Sequence, residues 1–342
     1  MNALCNWLGG QPELKDVKIK NEAIQEADRD SIVGGVRKRL DIVETASIGL
    51  HYTGGTKAMA VHAYRAVEQW GAERRIEPVF SYLDARWLRL VIDGKDDFYA
   101  GRAVEITLPD LLRLHGWTLR NDPCREPILP RTAQAIAHAC ADEVEYVAWQ
   151  AWQHEELKKF CKADANGSRS FNRGWESQGA LRAVRLSLNP SAAPLPDQVA
   201  AALRAELSLT TDEFEVAEFA GHWRTKKLVE VGKWLDGKWL EHHLLDVLNA
   251  FDDPAHHLCP SLDESLRYLH LHERAQNVEP REVQFDLDVI ALRGYQLFGF
   301  SCGTDRDDDK TGGRGRLKHK LFEAATRARQ LGGDEAGAAL VC

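Results

Sequence analysis

Two groups of residues in this chain have the types and spacing to do chemistry, and they stand nearly two hundred residues apart. The first is Thr53-Gly54-Gly55-Thr56-Lys57, with two glycines that let backbone approach a ligand, two hydroxyls and one cation. Set between a strand and a helix, such a turn aims backbone N–H groups at an anion. The same residues suit an ordinary strand-to-helix turn with a capping Thr. They have neither the G-x-x-x-x-G-K-S/T spacing of a P-loop nor the G-x-G-x-x-G of a dinucleotide site. The second group is acidic. Asp286 and Asp288 are two apart and so share one face of a strand, Ser301 ends the facing strand, and Glu241 can reach the same spot from a preceding helix. On the last helix Lys320, Glu323, Arg327 and Gln330 recur at spacings of three and four, which makes one polar face. A divalent metal held by Asp288 with Glu241 or Asp286 would polarise a phosphodiester and lower the pKa of its water. A nearby lysine would stabilise the developing negative charge. An exposed sheet face beside a salt-bridged helix is the plainer account of the same spacing.

The elements that must position these groups are legible in outline. A short helix is expected over 30–40, capped by Asp30 or Ser31. A short strand leads into the Thr53–Lys57 turn, and a helix runs from there to Trp70, closed by Gly71. Strands are expected over 78–83, 87–92 and 104–108, then a helix from Pro109 stopped by Gly116. From 131 to 164 the pattern is helical and polar, and the middle of the chain reads as a connector with one or two small helical units. Residues 235–248 form an amphipathic helix with Trp239, Leu240, Leu244, Val247 and Leu248 as its stripe. An acidic, partly helical link follows. Residues 282–292 then read as one strand, turned at Arg293-Gly294 into a return strand over 295–301. A charged Gly-rich loop, a helix over 317–331 and a final strand over 338–341 complete the chain.

Composition narrows the class. The 342 residues are 44% hydrophobic and 28% charged, and their longest apolar runs fall well short of the roughly 18 residues of a membrane span. No membrane partner is expected. The first residues lack a basic segment followed by an apolar one, so no secretory leader is expected and the compartment should be the cytoplasm. Seven cysteines form no C-x-x-C pair, as free cytosolic thiols would. The net charge of −8 argues against wholesale coating of nucleic acid but leaves room for a local basic groove. Neither His242-His243 nor His256-His257 suits zinc, because neighbouring helical histidines diverge by about 100° and no cysteine stands at ligand spacing. Cys302 has no nucleophile context around it.

Two separate segments resemble one family. Tyr52 through Met59 looks like the ligand-loop signature of CARF domains, the Rossmann-like sensors of cyclic oligoadenylates in type III CRISPR immunity. Gly237-Lys-Trp-Leu-Glu241, Asp286-Leu-Asp-Val289 and Arg329-Gln-Leu-Gly-Gly333 are similar to the nuclease half of effectors that fuse CARF to a PD-(D/E)xK restriction-like domain. The resemblance implies an α/β protein in three parts. These are a Rossmann-like CARF domain over 1–120 whose first βα unit is short or missing, a helical connector over 121–230, and a restriction-endonuclease-like domain over 231–342. It implies a homodimer with Thr53, Gly54, Gly55, Thr56 and Lys57 lining a pocket for cyclic oligoadenylate, tetra-adenylate first, at the dimer axis. It also implies RNA or DNA cleavage with Mn²⁺ or Mg²⁺ held by Glu241 and Asp288, with Asp286 as a second acid. The chain departs from the family pattern where Glu-x-Lys would fall, because Ser301-Cys302-Gly303 stands there. Lys318, Lys320 and Glu323 on the next helix could supply the missing groups, Lys320 and Glu323 sharing a face. A non-catalytic sensor and a ring nuclease that cleaves the cyclic ligand are the alternatives.

Overall fold

The helix that starts at Lys57 carries the strongest local signals in the N-terminal third. Those signals fix a βαβ unit in the computed structural model, which describes residues 8, 16–18, 20–43, 47–104, 106–171, 174–221, 227–251, 258–262, 266, 268–270, 282–283, 285, 287–304 and 313–342. The first helix, α1 (Arg29–Leu40), is capped by Asp28, which accepts from Ser31 N at 2.9 Å; Asp30 and Ser31, the expected caps, lie in its first turn. Strand β1 (Gly49–His51) feeds the turn, and α2 (Lys57–Arg74) returns the chain to β2 (Val79–Asp84), parallel to β1. Gly71 does not end α2. The helix runs on to Arg74 and stops at left-handed Arg75, while Gly71 is where the following chain folds back; a Cβ there would lie 2.6 Å from the Ile76 carbonyl oxygen. Val67, Trp70, Phe80 and Leu40 bury the space between helices and sheet.

Strand β3 (Arg89–Ile92) starts two residues later than expected, because Leu88 turns with φ +48°. With β4 (Phe98–Tyr99) it completes a sheet of order β1-β2-β3-β4, antiparallel after β2. The strand expected over 104–108 does not form at its described residues. Thr107 instead caps α3 (Leu108–Leu114), and Pro109, which has no N–H for a ladder, sits in that helix's first turn. The chain then adds β5 (Trp117–Leu119).

The middle segment is richer than a polar connector. Helices α4 (Pro130–Ala141), α5 (Glu143–Leu157) and α6 (Asp197–Leu207), with a ribbon of β6 (Arg185–Ser187) and β7 (Glu213–Glu215), enclose Trp149, Trp152, Phe160, Leu203, Phe214 and Phe219. The same core continues past residue 230 through Trp234, Trp239 and Leu240.

In the C-terminal third, α7 (Trp239–Ala250) packs on a sheet of order β13-β12-β11-β8. Its strands are β8 (Leu258–Leu262), β11 (Val289–Arg293), β12 (Gln296–Cys302) and β13 (Gly337–Val341). The hairpin of β11 and β12 forms as expected, with Gly294 at φ +60° in its turn. Strand β8 lies in the stretch expected to be an acidic link. The single strand expected over 282–292 is two. Glu282–Val283 (β10) pairs with Tyr268–His270 (β9), which also pairs with β5, and only Val289 onward joins the hairpin. Phe285 and Leu287 between them are buried, so the chain dives into the core before it re-emerges as β11. Asp286 lies outside the described residues. Helix α8 (Gly313–Gly332) covers β12 and β13 with Ala324, Ala328 and Leu331. Among the described residues no helix is long and apolar enough to cross a membrane.

Candidate functional site

Glu241 stands in the first turn of α7, immediately after a break in the chain's helical course. Residues Trp234–Lys238 form one π turn in which Gly237 takes an extended backbone, φ 176° and ψ −23°, so α7 starts on a new axis. Trp239, Leu240 and Leu245 bury the rest of that helix, and His242 is fixed beside them, its Nδ1 accepting from Ile128 N at 3.1 Å. Burial holds the His242 imidazole neutral, with a pKa of about 3, and Lys238 pushes the same way. With Nδ1 already bonded, His242 makes a poor metal ligand.

Asp288 comes from the other side, one residue before β11. Its backbone N donates to Phe300 O at 2.9 Å, and its carboxylate accepts from Cys302 N at 2.5 Å and from Ser301 Oγ at 3.3 Å. Ser301, read as standing in place of an acid, is buried and orients Asp288. Lys320 donates from Nζ to the Cys302 carbonyl at 3.2 Å, which places its ammonium beside the same strand end.

The Asp288 charge acts on Glu241. Glu241, only 8% exposed, has its carboxyl pushed up to about 8, first by burial and then by the Asp288 charge, while Lys238 and Lys320 pull it down. Asp288 is raised as well, again by burial first, against its bonds to Cys302 and Ser301 and the same two lysines. Burial and both acids drive the Cys302 thiol up, so it stays protonated and inert, as its sequence context implies. Lys238 is the group sequence reasoning missed. It sits three residues before Glu241 and so on its side of the helix, and although it lies inside the segment that resembles the nuclease half, its spacing alone gives it no role. Glu323 is not drawn in with Lys320: half-exposed, it pairs with Arg327 at 3.6 Å.

A buried and a half-buried carboxylate, both forced toward their neutral forms, are the donor set a hard divalent cation relieves, and all-oxygen ligation suits Mg²⁺ or Mn²⁺. Among the described residues no group of three or more ligating side chains converges, so Glu241 and Asp288 would leave several positions to solvent or substrate.

In the N-terminal unit the Thr53–Lys57 turn lies at the C-terminal end of parallel β1, where open α/β sheets leave a crevice. The loop's two hydroxyls are engaged in holding it. Thr53 Oγ1 accepts from Leu83 N at 2.5 Å, while Thr56 Oγ1 caps α2 through Met59 N at 3.2 Å and donates to Glu26 O at 2.8 Å. Gly54, Gly55 and Lys57 are exposed, and Gly55 takes φ +87°, which a side chain would resist. The loop therefore presents backbone and one cation, not hydroxyls. Tyr52 and the 37%-exposed Tyr82 stand beside it, ring centroids 5.8 Å apart, an aromatic neighbour that the strand pattern alone did not single out. Thr56→Val is expected to cost about 1–2 kcal/mol of stability in urea unfolding, by removing the cap and the Glu26 bond. Lys57→Ala should leave the same transition unmoved.

No model of a known protein family matches the sequence, and no curated protein matches it. Solved structures do. Protein VC1899 from Vibrio cholerae is similar over 99% of this chain and 78% of that one, with a TM-score of 0.54 at 14% identity. Can2 from Sulfobacillus thermosulfidooxidans, solved in complex with cyclic tetra-adenylate, is similar over 96% of this chain and 73% of that one, with a TM-score of 0.52 at 11% identity. The chain is thus a mixed α/β protein that shares its fold with VC1899 and Can2.

Proposed function

We propose that this chain is a cyclic-oligoadenylate-activated, metal-dependent nuclease cutting RNA or DNA phosphodiesters in type III CRISPR defence, acting in the cytoplasm as a homodimer. The observation that carries the reading is buried Glu241 and half-buried Asp288, both under the charges of Lys238 and Lys320, in a fold shared with a protein solved with cyclic tetra-adenylate. Residues 1–120 take the sensing role, 121–230 connect, and 231–342 cut, although the apolar core runs unbroken across 230.

Each residue has a task in this reading. Asp288 and Glu241 hold the cation, with Asp286 available as a third donor. The Ser301 hydroxyl and Cys302 N–H fix which Asp288 oxygen faces inward. When bound, Mg²⁺ or Mn²⁺ supplies a Lewis acid for the scissile phosphate. Lys320, anchored on the Cys302 carbonyl, sets a positive charge where negative charge develops on the phosphate oxygens. Glu323, held by Arg327, has no step.

Sensing and cutting are joined by packing. Thr53 holds Leu83 in β2, the chain turns at buried Leu88, and Leu88 and Gly101 press on Gly294 in the turn of the hairpin whose far end carries Asp288. A ligand that favours one placement of this contact over another shifts the population of the cutting arrangement by its difference in affinity. Exposed Phe98 and Tyr99 on the same sheet, with exposed Trp87 in the turn before β3, offer apolar area for a second copy.

The test is cleavage of labelled single-stranded RNA, single-stranded DNA and supercoiled DNA with Mn²⁺, with and without cyclic tetra-adenylate. Cleavage should require both additions, and Lys57→Ala should weaken ligand binding without changing the fully activated rate. A non-catalytic sensor is the second reading, favoured by Ser301 in place of an acid; it predicts ligand binding with all three polynucleotides intact. Loss of the cyclic ligand itself would point to a ring nuclease.

A further inference from the structure

A cavity of about 560 Å³ opens between α4, α5 and α7, and none of its described lining side chains is Asp, Glu, Lys or Arg. Tyr146, Trp149 and Trp239 give it aromatic walls, and His243, Gln150 and Gln153 give it polar ones. Trp239 and His243 each carry a buried ring nitrogen with no partner in the protein. The amide of Gln153 is already oriented. Gln153 Nε2 donates to the carbonyls of Leu235 at 2.7 Å and Asp236 at 3.1 Å, so its amide cannot be flipped and its Oε1 is left as an acceptor. Gln150 Nε2 donates one hydrogen to the Tyr146 hydroxyl at 2.5 Å, and in that setting its Oε1 is a second acceptor. Uncharged aromatic walls with carbonyl acceptors suit a planar, neutral group that donates hydrogen bonds.

The cavity's place decides what that group is. Thr304 lines it, and Thr304 also lies against Gly237, 3.5 Å from where a Cβ would stand. One residue back, Gly303 lies 3.1 Å by the same measure from Lys320 Nζ, at the strand end that holds Asp288. The chain from Cys302 to Thr304 thus separates the cavity from the acid pair. In the nuclease reading a polynucleotide whose phosphate meets Asp288 and Lys320 passes this strand end, on whose other side the cavity lies.

We propose that this cavity is a nucleobase subsite that takes one unstacked base bearing an exocyclic amino group, adenine or cytosine, next to the bond to be cut. The assignment rests on the nuclease reading for its position and on the cavity's own lining for its chemistry. Stacking of a base on the aromatic walls is the source of affinity, and the glutamine carbonyls select the amino group.

The experiment measures binding without chemistry. Full-length Asp288→Asn protein in EDTA is titrated with fluorescent single-stranded oligonucleotides of adenine, of thymine and of abasic sites, and anisotropy is read with and without cyclic tetra-adenylate. The adenine strand should bind about tenfold tighter than the abasic one. Gln150→Ala, at an exposed position, should cut the adenine-over-thymine preference several-fold. Cys140→Trp, which fills the cavity, should remove the advantage of any base while leaving abasic binding intact. Equal binding of base-bearing and abasic strands in both conditions overturns the subsite. A base preference that survives both substitutions overturns it too. The nuclease reading is scored apart, by cleavage with Mn²⁺ in the unsubstituted protein. Base preference without cleavage sinks the catalytic reading alone, and cleavage with base-blind binding sinks the subsite alone.

Discussion

Asp288→Asn is expected to lower polynucleotide cleavage by about 10³-fold or more in single-turnover assays, while leaving the melting temperature equal to or above that of the parent protein. The two halves of this expectation have one cause. Burial already lifts the Asp288 carboxyl, so the folded protein bears a cost for holding its charge, and the amide removes that cost. Asn keeps an oxygen able to accept from Cys302 N and Ser301 Oγ, so the end of β12 and the anchor of Lys320 are preserved. What disappears is the anionic oxygen that a divalent ion needs. Calorimetric titration with Mn²⁺ should accordingly show binding lost with activity. Cleavage within about tenfold of the parent's would remove Asp288 from the site, since loss of a charged ligand costs more than that. Ser301→Ala is the matched control. It removes one hydroxyl bond to Asp288 and should reduce the rate by about tenfold, because the Cys302 N–H still holds the carboxylate.

What the sequence made legible followed from how local each signal is. The turn from Thr53 to Lys57 is punctuated by its own glycines, and the α2 helix behind it has an apolar period, so both were read within a few residues. The role of Thr56 as a cap was legible too, as one of two readings, and it excludes that hydroxyl as a free ligand donor. Glu241 and Asp288 are a different case. They lie 47 positions apart, and spacing alone does not say that they meet; it only allowed the helix acid to reach the strand acid, and a resemblance was what paired them. Lys238 stayed unread because its value comes from burial of its neighbours. The hairpin was legible because Arg293-Gly294 turns two alternating runs. Its first strand was overextended because Phe285, Leu287 and Val289 continue the alternation through a bend at which the pairing partner changes. The middle segment looked polar for a physical reason as well. Glu156 lies on the buried side of α5, satisfied by Lys159 at 2.7 Å and by Ser187 N at 2.9 Å, and so interrupts the apolar stripe that Trp149 and Trp152 begin. A buried carboxylate with its partners in place reads as surface until the fold is known.

The Glu241 carboxyl supplies a test that needs no substrate. Its ordinary pKa of 4.5 is raised to about 8 in the folded protein, so between those values the folded state holds a proton that the unfolded chain has lost. The contribution to stability is therefore full below pH 4.5 and is lost progressively as pH rises from there through 8, on the order of 5 kcal/mol at about 1.4 kcal/mol per tenfold change in proton affinity. Buried His242 acts in the opposite sense. Its pKa is lowered from 6.5 to about 3, so its contribution is present above 6.5 and lost as pH falls, which bends the total curve. The clean readout is the melting temperature of the parent protein minus that of Glu241→Gln across pH 4.5–9 without divalent ions, because His242 is common to both. That difference should fall steadily between pH 4.5 and 8 and level off above 8, where the parent buries a charge beside Asp288 that Gln does not carry. Millimolar Mn²⁺ at pH 8 should then raise the parent's melting temperature and not the variant's, since the ion binds the ionised pair and stabilises the folded state by mass action. A difference that stays flat from pH 4.5 to 9 would mean that Glu241 is ionised throughout and does not face Asp288. In that event the acid pair, and the metal site built on it, falls whatever the cleavage assay reports.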